Sequence, residues 1–153
     1  MKLNRYIDHT LLAADATENQ VNMVIKQAIV NHFKTVMVNP YWVKHVHLAL
    51  AGSDVKTACV IGFPLGANTT AIKVAEARDA IQNGADELDM VMNIGEFKSH
   101  HYAQASADIE AVVRTAHAAG KLIKVIIETC LLTDDEIIQA AKIVASCGAD
   151  FVK

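Results

Sequence analysis

The 153 residues contain no basic run and no patch in which aromatics alternate with cations. Lys and Arg total 14 against 17 Asp and Glu, for a formal net charge of -3, and aromatics make up 5% of the chain. Both features argue against a nucleic-acid surface. Apolar runs of membrane-spanning length and low-complexity segments are also missing, so nothing suggests a transmembrane or disordered role. The 3 cysteines, Cys59, Cys130 and Cys147, are an odd number without CxxC spacing. Met1 is followed by Lys2-Leu3-Asn4-Arg5 rather than by the apolar core of a signal peptide. A reducing cytoplasm is the expected location. What remains is a chain 52% hydrophobic and 20% charged, enough for one core and too short for two comfortable domains.

The pattern alternates short apolar runs with amphipathic ones. Strands are expected at Tyr6–Thr10, Thr35–Val38, Lys56–Ile61, Glu87–Asn93, Leu122–Glu128 and around Phe151-Val152-Lys153. Between them, Thr17-Glu18-Asn19-Gln20 and Thr133-Asp134-Asp135-Glu136 fit capping boxes that open helices over 18–30 and up to Gly148. Asn39-Pro40 supplies an N-cap and an N1 proline for a helix to Gly52, and further helices are expected over 70–83 and from Ala105 to Gly120. Strands alternating with helices make a parallel α/β fold, and the apolar second to fifth strands suit a sheet covered on both faces.

Two closures fit that order. A doubly wound sheet would place a glycine-rich phosphate turn after the first strand, but Asp8-His9-Thr10-Leu11-Leu12 has no glycine. A (β/α)8 TIM barrel tolerates polar side chains inside and does its chemistry at the C-terminal ends of its strands. Charges within the fourth, fifth and sixth strands favour the barrel. Such a barrel usually takes about 200 to 250 residues. The expectation is a single barrel domain over residues 1–153, with about six of eight β/α units present and the C-terminal part incomplete.

Those internal charges are the candidate site. Lys153 ends an apolar strand, Lys124 lies inside another, and Asp89 lies inside a third. A buried charge is costly unless paired, so each needs a reason. From the residues alone Lys153 reads as a lysine snorkelling from a strand end or as a nucleophile, and Lys124 with Asp89 as a structural ion pair or as acid-base machinery. Asp8 and Thr10 share a strand face by the two-residue period. They read as a turn-forming pair or as site residues. Glu128 reads as a strand-end residue more than a catalyst. His45, His47, His100 and His101 lie in helical or loop stretches away from carboxylate or cysteine clusters, so no metal and no cofactor is expected. The Gly62–Gly66 loop, lacking a following Lys-Ser/Thr, reads as a strand-to-helix turn.

Several segments, in this order and spacing, resemble the deoxyribose-phosphate aldolase family, class I aldolases on a (β/α)8 barrel. They are Tyr6-Ile7-Asp8-His9-Thr10-Leu11-Leu12, Val38-Asn39-Pro40, Val60-Ile61-Gly62-Phe63-Pro64-Leu65-Gly66, Gly84-Ala85-Asp86-Glu87-Leu88-Asp89-Met90-Val91, Lys124-Val125-Ile126-Ile127-Glu128-Thr129 and Gly148-Ala149-Asp150-Phe151-Val152-Lys153. The resemblance implies that Lys153 is the Schiff-base lysine, Lys124 its neighbouring active-site lysine and Asp89 the proton relay. It places Asp8 and Thr10 at polar positions at the barrel mouth. It implies reversible cleavage of 2-deoxy-D-ribose 5-phosphate to acetaldehyde and glyceraldehyde 3-phosphate, in deoxyribose phosphate catabolism. The expected partners are small aldehydes and the phosphosugar, and a second copy in a homodimer, with no nucleic acid and no membrane. Competing readings are an inactive barrel fragment and a phosphosugar isomerase or epimerase that uses Asp89 and Glu128 without a covalent step.

The chain departs from the family pattern in three places. Met37 stands where a cysteine is common, and Ala13-Ala14 where a Lys-Pro pair is common. The Thr-Ser-Thr-Gly turn, the last two strands, a further catalytic lysine and most phosphate-binding glycines and serines of the family are not among the 153 residues. An amine attacks an aldehyde only when unprotonated, so a Schiff-base lysine needs a lowered pKa, and burial and a neighbouring cation both lower one. By parity Met37 shares a face with Asn39 and is expected to look into the site. A thioether cannot form the reactive thiolate that captures aldehydes. High acetaldehyde should therefore inactivate the Met37→Cys variant faster than the parent, and identical time courses would exclude the idea.

Overall fold

The computed structural model describes residues 2–153. Local sequence rules account for most of its elements. The Thr17 hydroxyl accepts from the Gln20 amide at 3.4 Å while Gln20 Oε1 accepts from the Thr17 amide at 2.8 Å, opening α1 (Glu18–Asn31). Thr133 and Glu136 make the same reciprocal pair at 3.3 and 2.8 Å to open α6 (Asp134–Ser146). Between them lie α2 (Val43–Ala49), α3 (Thr70–Gln82), α4 (Ile94–Lys98) and α5 (Tyr102–Ala118). Strands β2 (Thr35–Val38) and β3 (Lys56–Ile61) fall on the residues expected.

The other strands differ at their ends, β1 and β4 for local reasons. Strand β1 (Asp8–Leu11) starts late because Leu3–Tyr6 winds into a 3-10 turn. Strand β4 (Glu87–Val91) stops early because Asn93 accepts the Glu96 amide at 3.1 Å and caps α4, an element that periodicity did not reveal. Strands β5 (Leu122–Ile126) and β6 (Phe151–Val152) are likewise shorter than expected. Asn39 does not cap with its side chain. Its amide instead donates to the Leu12 carbonyl at 3.3 Å, and Pro40 begins a 3-10 turn before α2.

The six strands among the described residues form one parallel sheet in the order β1-β2-β3-β4-β5-β6. Alternation assigns the two faces. Val36, Val38, Cys59, Ile61, Leu88, Met90, Ile123 and Val125 point outward, fully buried against the helices in the main core. Each such side chain stabilises the fold by about 1.5–3 kcal/mol. Their neighbours in sequence face inward, where Met37, Ala58 and Val60 make a separate small cluster with Leu12. Asp89 shares a row with Val60 and Lys124, and Glu87 shares one with Ala58 and Leu122.

The inner face is concave. In a flat sheet β1 and β5 would stand about 19 Å apart, four spacings of about 4.8 Å. Yet Lys124 Nζ of β5 lies 2.9 Å from Asp8 Oδ2 of β1. The sheet therefore curls on itself, as barrel strands do, and closes its charged row into an interior.

The last strand is held by more than its ladder. Asp150 Oδ2 accepts from the Ile123 amide at 2.8 Å and from His117 Nε2 at 3.0 Å. Burial works against the Asp150 charge, but these hydrogen bonds outweigh it and leave its pKa below the ordinary carboxylate value. A lowered carboxylate pKa stabilises the fold above the unfolded value near 3.9 and loses that contribution as pH falls through the folded one. Asp150→Ala should therefore cost about 1 kcal/mol at pH 7 by urea unfolding, with the gap to the parent closing below about pH 4. A gap independent of pH would show that the carboxylate charge is not what anchors β6.

Candidate active site

Three strands bring the charges together. Asp89, wholly buried in the middle of β4, points one carboxylate oxygen at a lysine of the adjacent β5 and the other at the lysine that follows β6, one strand further on. Its Oδ2 lies 2.7 Å from Lys153 Nζ and its Oδ1 3.5 Å from Lys124 Nζ. Lys153 follows β6 and stays 41% exposed, whereas the Lys124 side chain is 14% exposed, so of the two amines that of Lys153 is the more open to a small molecule.

Lys124 is the hub. Besides Asp89 it donates to Asp8 Oδ2 at 2.9 Å and to Glu87 Oε1. Its ammonium also lies 5.8 Å from the centre of the Phe151 ring. Burial alone would push its pKa down, but the Glu87 and Asp8 hydrogen bonds and the Asp89 charge raise it above the ordinary lysine value. Lys124 is thus held as a cation. Burial pushes the Glu87 carboxyl up, against the downward pull of Lys124. Glu87 is 4% exposed and was missed as a site residue. The signal was available, since Glu87 and Asp89 stand two apart on one strand and must share a face.

A family model described as DeoC/LacD family aldolase matches residues 3–153. The chain belongs to that family. It is 68% identical over 153 residues to a deoxyribose-phosphate aldolase of Lactiplantibacillus plantarum, covering 100% of this chain and 71% of that protein. It is 52% identical to one of Streptococcus mutans, covering 100% of this chain and 69% of that protein. Among solved structures it superposes on the tetrameric deoxyribose phosphate aldolase of Aeropyrum pernix with a TM-score of 0.90 at 30% identity, over 98% of this chain and 62% of that one. The chain spans 59%, 66% and 62% of the lengths of three solved aldolase structures that it matches. The parallel strands are thus a partial (β/α) barrel of the DeoC/LacD type.

The other residues suggested by the family resemblance are distributed unevenly. Asp8 joins the cluster, but from the start of β1 rather than from its C-terminal mouth, because the 3-10 turn delays the strand. It accepts the Thr35 hydroxyl at 2.8 Å as well as Lys124. With Arg5, Lys34 and Phe151 it lines a cavity of about 400 Å³ that also reaches Glu87 and Lys124. Thr10 stays outside the charge network, its exposed hydroxyl donating to the Asp8 carbonyl at 2.9 Å. Met37 faces inward beside Thr10 and Ala58 but is wholly covered, so it forms the floor of the interior. Glu128 follows β5 with a positive φ of 56° and accepts the Cys130 thiol at 3.2 Å, apart from the lysines.

Removing the hub should expose the cost of the cluster. Lys124→Met leaves Asp8 and Glu87 without their cation and Asp89 with Lys153 alone, a loss of about 3–5 kcal/mol at pH 7. Uncompensated carboxylates have raised folded pKa values, so their repulsion is absent below the unfolded value near 4 and grows as pH rises. Urea unfolding at pH 7 and pH 4.5 should show the variant recovering towards the parent at the lower pH. Equal losses at both would mean that packing, not charge, is what Lys124 supplies.

Proposed function

We propose that this chain carries the covalent chemistry of a deoxyribose-phosphate aldolase, with Lys153 as the nucleophile. The observation that supports it most directly is the 2.7 Å approach of Lys153 Nζ to Asp89 Oδ2, with Lys124 facing the same carboxylate from the other side. The family relatives supply the substrate, 2-deoxy-D-ribose 5-phosphate. The chain supplies six strands of a single barrel domain and the helices between them.

Lys153 passes a proton to Asp89 and its free amine adds to the aldehyde carbon of the ring-opened sugar phosphate. The carbinolamine takes a proton back and loses water, giving a protonated Schiff base. That cation draws in the electron pair of the C2–C3 bond as the C3 hydroxyl gives up its proton. The bond breaks, glyceraldehyde 3-phosphate departs, and an enamine remains on Lys153. Protonation at C2 and addition of water then release acetaldehyde and restore the amine. Asp89 is the group within reach for the proton transfers at nitrogen, and Lys124 holds its carboxylate in place through the 3.5 Å contact. Asp8 and Glu87 neutralise Lys124 and keep it from moving into the position of Lys153.

Among the described residues no helix is long and apolar enough to cross a membrane. The tetramer described for the Aeropyrum pernix relative supports a homo-oligomer here, and a cytoplasmic enzyme of sugar-phosphate catabolism fits the substrate.

Incubation with 2-deoxyribose 5-phosphate and a borohydride reductant, followed by intact-mass and peptide mapping, should place a stable adduct on Lys153 and none on Lys124. Asp89→Asn should slow its formation by at least about 100-fold. An adduct confined to Lys124 would reassign the nucleophile, and a chain that stays unmodified would be a non-catalytic barrel segment.

A further inference from the structure

A wholly buried lysine on α3 faces α5 on the outer side of the sheet. Lys73 is wholly buried, and its ammonium donates to Asp108 Oδ2 at 2.6 Å and to the Val91 carbonyl at 3.0 Å. Asp108, 4% exposed, also accepts the Thr70 hydroxyl at 2.8 Å through Oδ1. Filling this space with apolar side chains would avoid desolvating two charges. An ion pair adds direction, and this one is aimed at a single backbone carbonyl at the end of β4.

The same side chain touches the loop that follows β3. A Cβ built at Gly62 would stand 3.0 Å from Lys73 Cε, and the Gly62 amide donates to Glu76 Oε2, one turn along α3, at 2.6 Å. The Gly66 amide closes the turn onto the Gly62 carbonyl at 2.8 Å. Gly66 in turn packs on β4's exit, where any Cβ would meet the Met92 carbonyl oxygen at 2.0 Å. Turn, helix and strand end are therefore one unit, and Asp89 stands two residues before Val91 on that strand.

We propose that Lys73 is a positioning residue: its buried pair with Asp108 fixes the C-terminal end of β4 and the Gly62–Gly66 turn to each other, and so sets where Asp89 meets Lys153. The clamp stands on geometry alone, and its catalytic consequence rests on the aldolase reading above.

The test uses Lys73→Met/Asp108→Leu, which removes both charges and leaves none buried alone, with hydrogen exchange and borohydride trapping as readouts. Peptides covering 62–66 and 91–93 should exchange about ten-fold faster, with β2 and β5 unchanged. The trapping rate at saturating sugar phosphate should fall about ten-fold at an unchanged half-saturation concentration. Unchanged exchange in those peptides overturns the clamp, and faster exchange with an unchanged trapping rate overturns its role in positioning. Should the double variant not fold, Glu76→Ala decides the matter. It frees the Gly62 amide without touching the buried pair, and should loosen 62–66 in a way that Glu76→Gln, which keeps an acceptor, restores. If the parent chain forms no adduct, the aldolase reading fails by itself and the exchange result alone judges the clamp.

Discussion

The structure depends on one cation. Lys124 faces carboxylates from β1 and β4, and the contact with Asp8 spans 116 residues of sequence. No single pair of these charges would be an efficient use of buried space, because desolvation consumes most of the attraction. Sharing one ammonium among three acids changes the balance. Each acid is satisfied, and the geometry that satisfies them exists only when the sheet is curled. The charge cluster and the curvature are in that sense the same fact.

Around this hub the labour divides by strand parity. Residues at alternate positions of β2 to β5 go to the helices and supply the main core, while those between them line the interior with charge and a small methionine-alanine-valine floor. Lys153 is at the rim of that interior. It shares Asp89 with Lys124 but is not enclosed by the same acids, so its amine is both tethered and reachable. A second ion pair, Lys73 with Asp108, works from the opposite side of β4. Asp89 thus belongs to a strand contacted by lysines on both faces, of which Lys73 is wholly buried.

Much of this was legible in the sequence because it follows from local rules. The capping boxes at Thr17 and Thr133 fixed two helix starts, and Thr35–Val38 and Lys56–Ile61 declared themselves by composition. Lys153, Lys124 and Asp89 stood out because charges inside apolar strands are rare. Less visible were features decided by partners far along the chain. Asn39 looked like a cap, but its side-chain amide instead donates to the Leu12 carbonyl, just past the end of the neighbouring strand. Glu87 was not singled out, although two-residue parity with Asp89 puts it on the same face. Lys73 stands at i, i+4 and i+7 with Ala77 and Ala80 on the buried stripe of α3, so its inward direction was legible, but its partner Asp108, 35 residues along the chain, was not.

The parity of β4 also bears on how such a chain can change over time. Point substitutions on its outward row, Leu88 or Met90, alter packing and leave the acids where they are. Loss or gain of one residue does something different: it turns Leu88 and Met90 towards the lysines and drives Glu87 and Asp89 into the aliphatic layer beneath α3 and α5. Stability and chemistry would fail in the same step. Length variation is therefore confined to the connecting loops, and the interior of the strand can drift in composition but not in count.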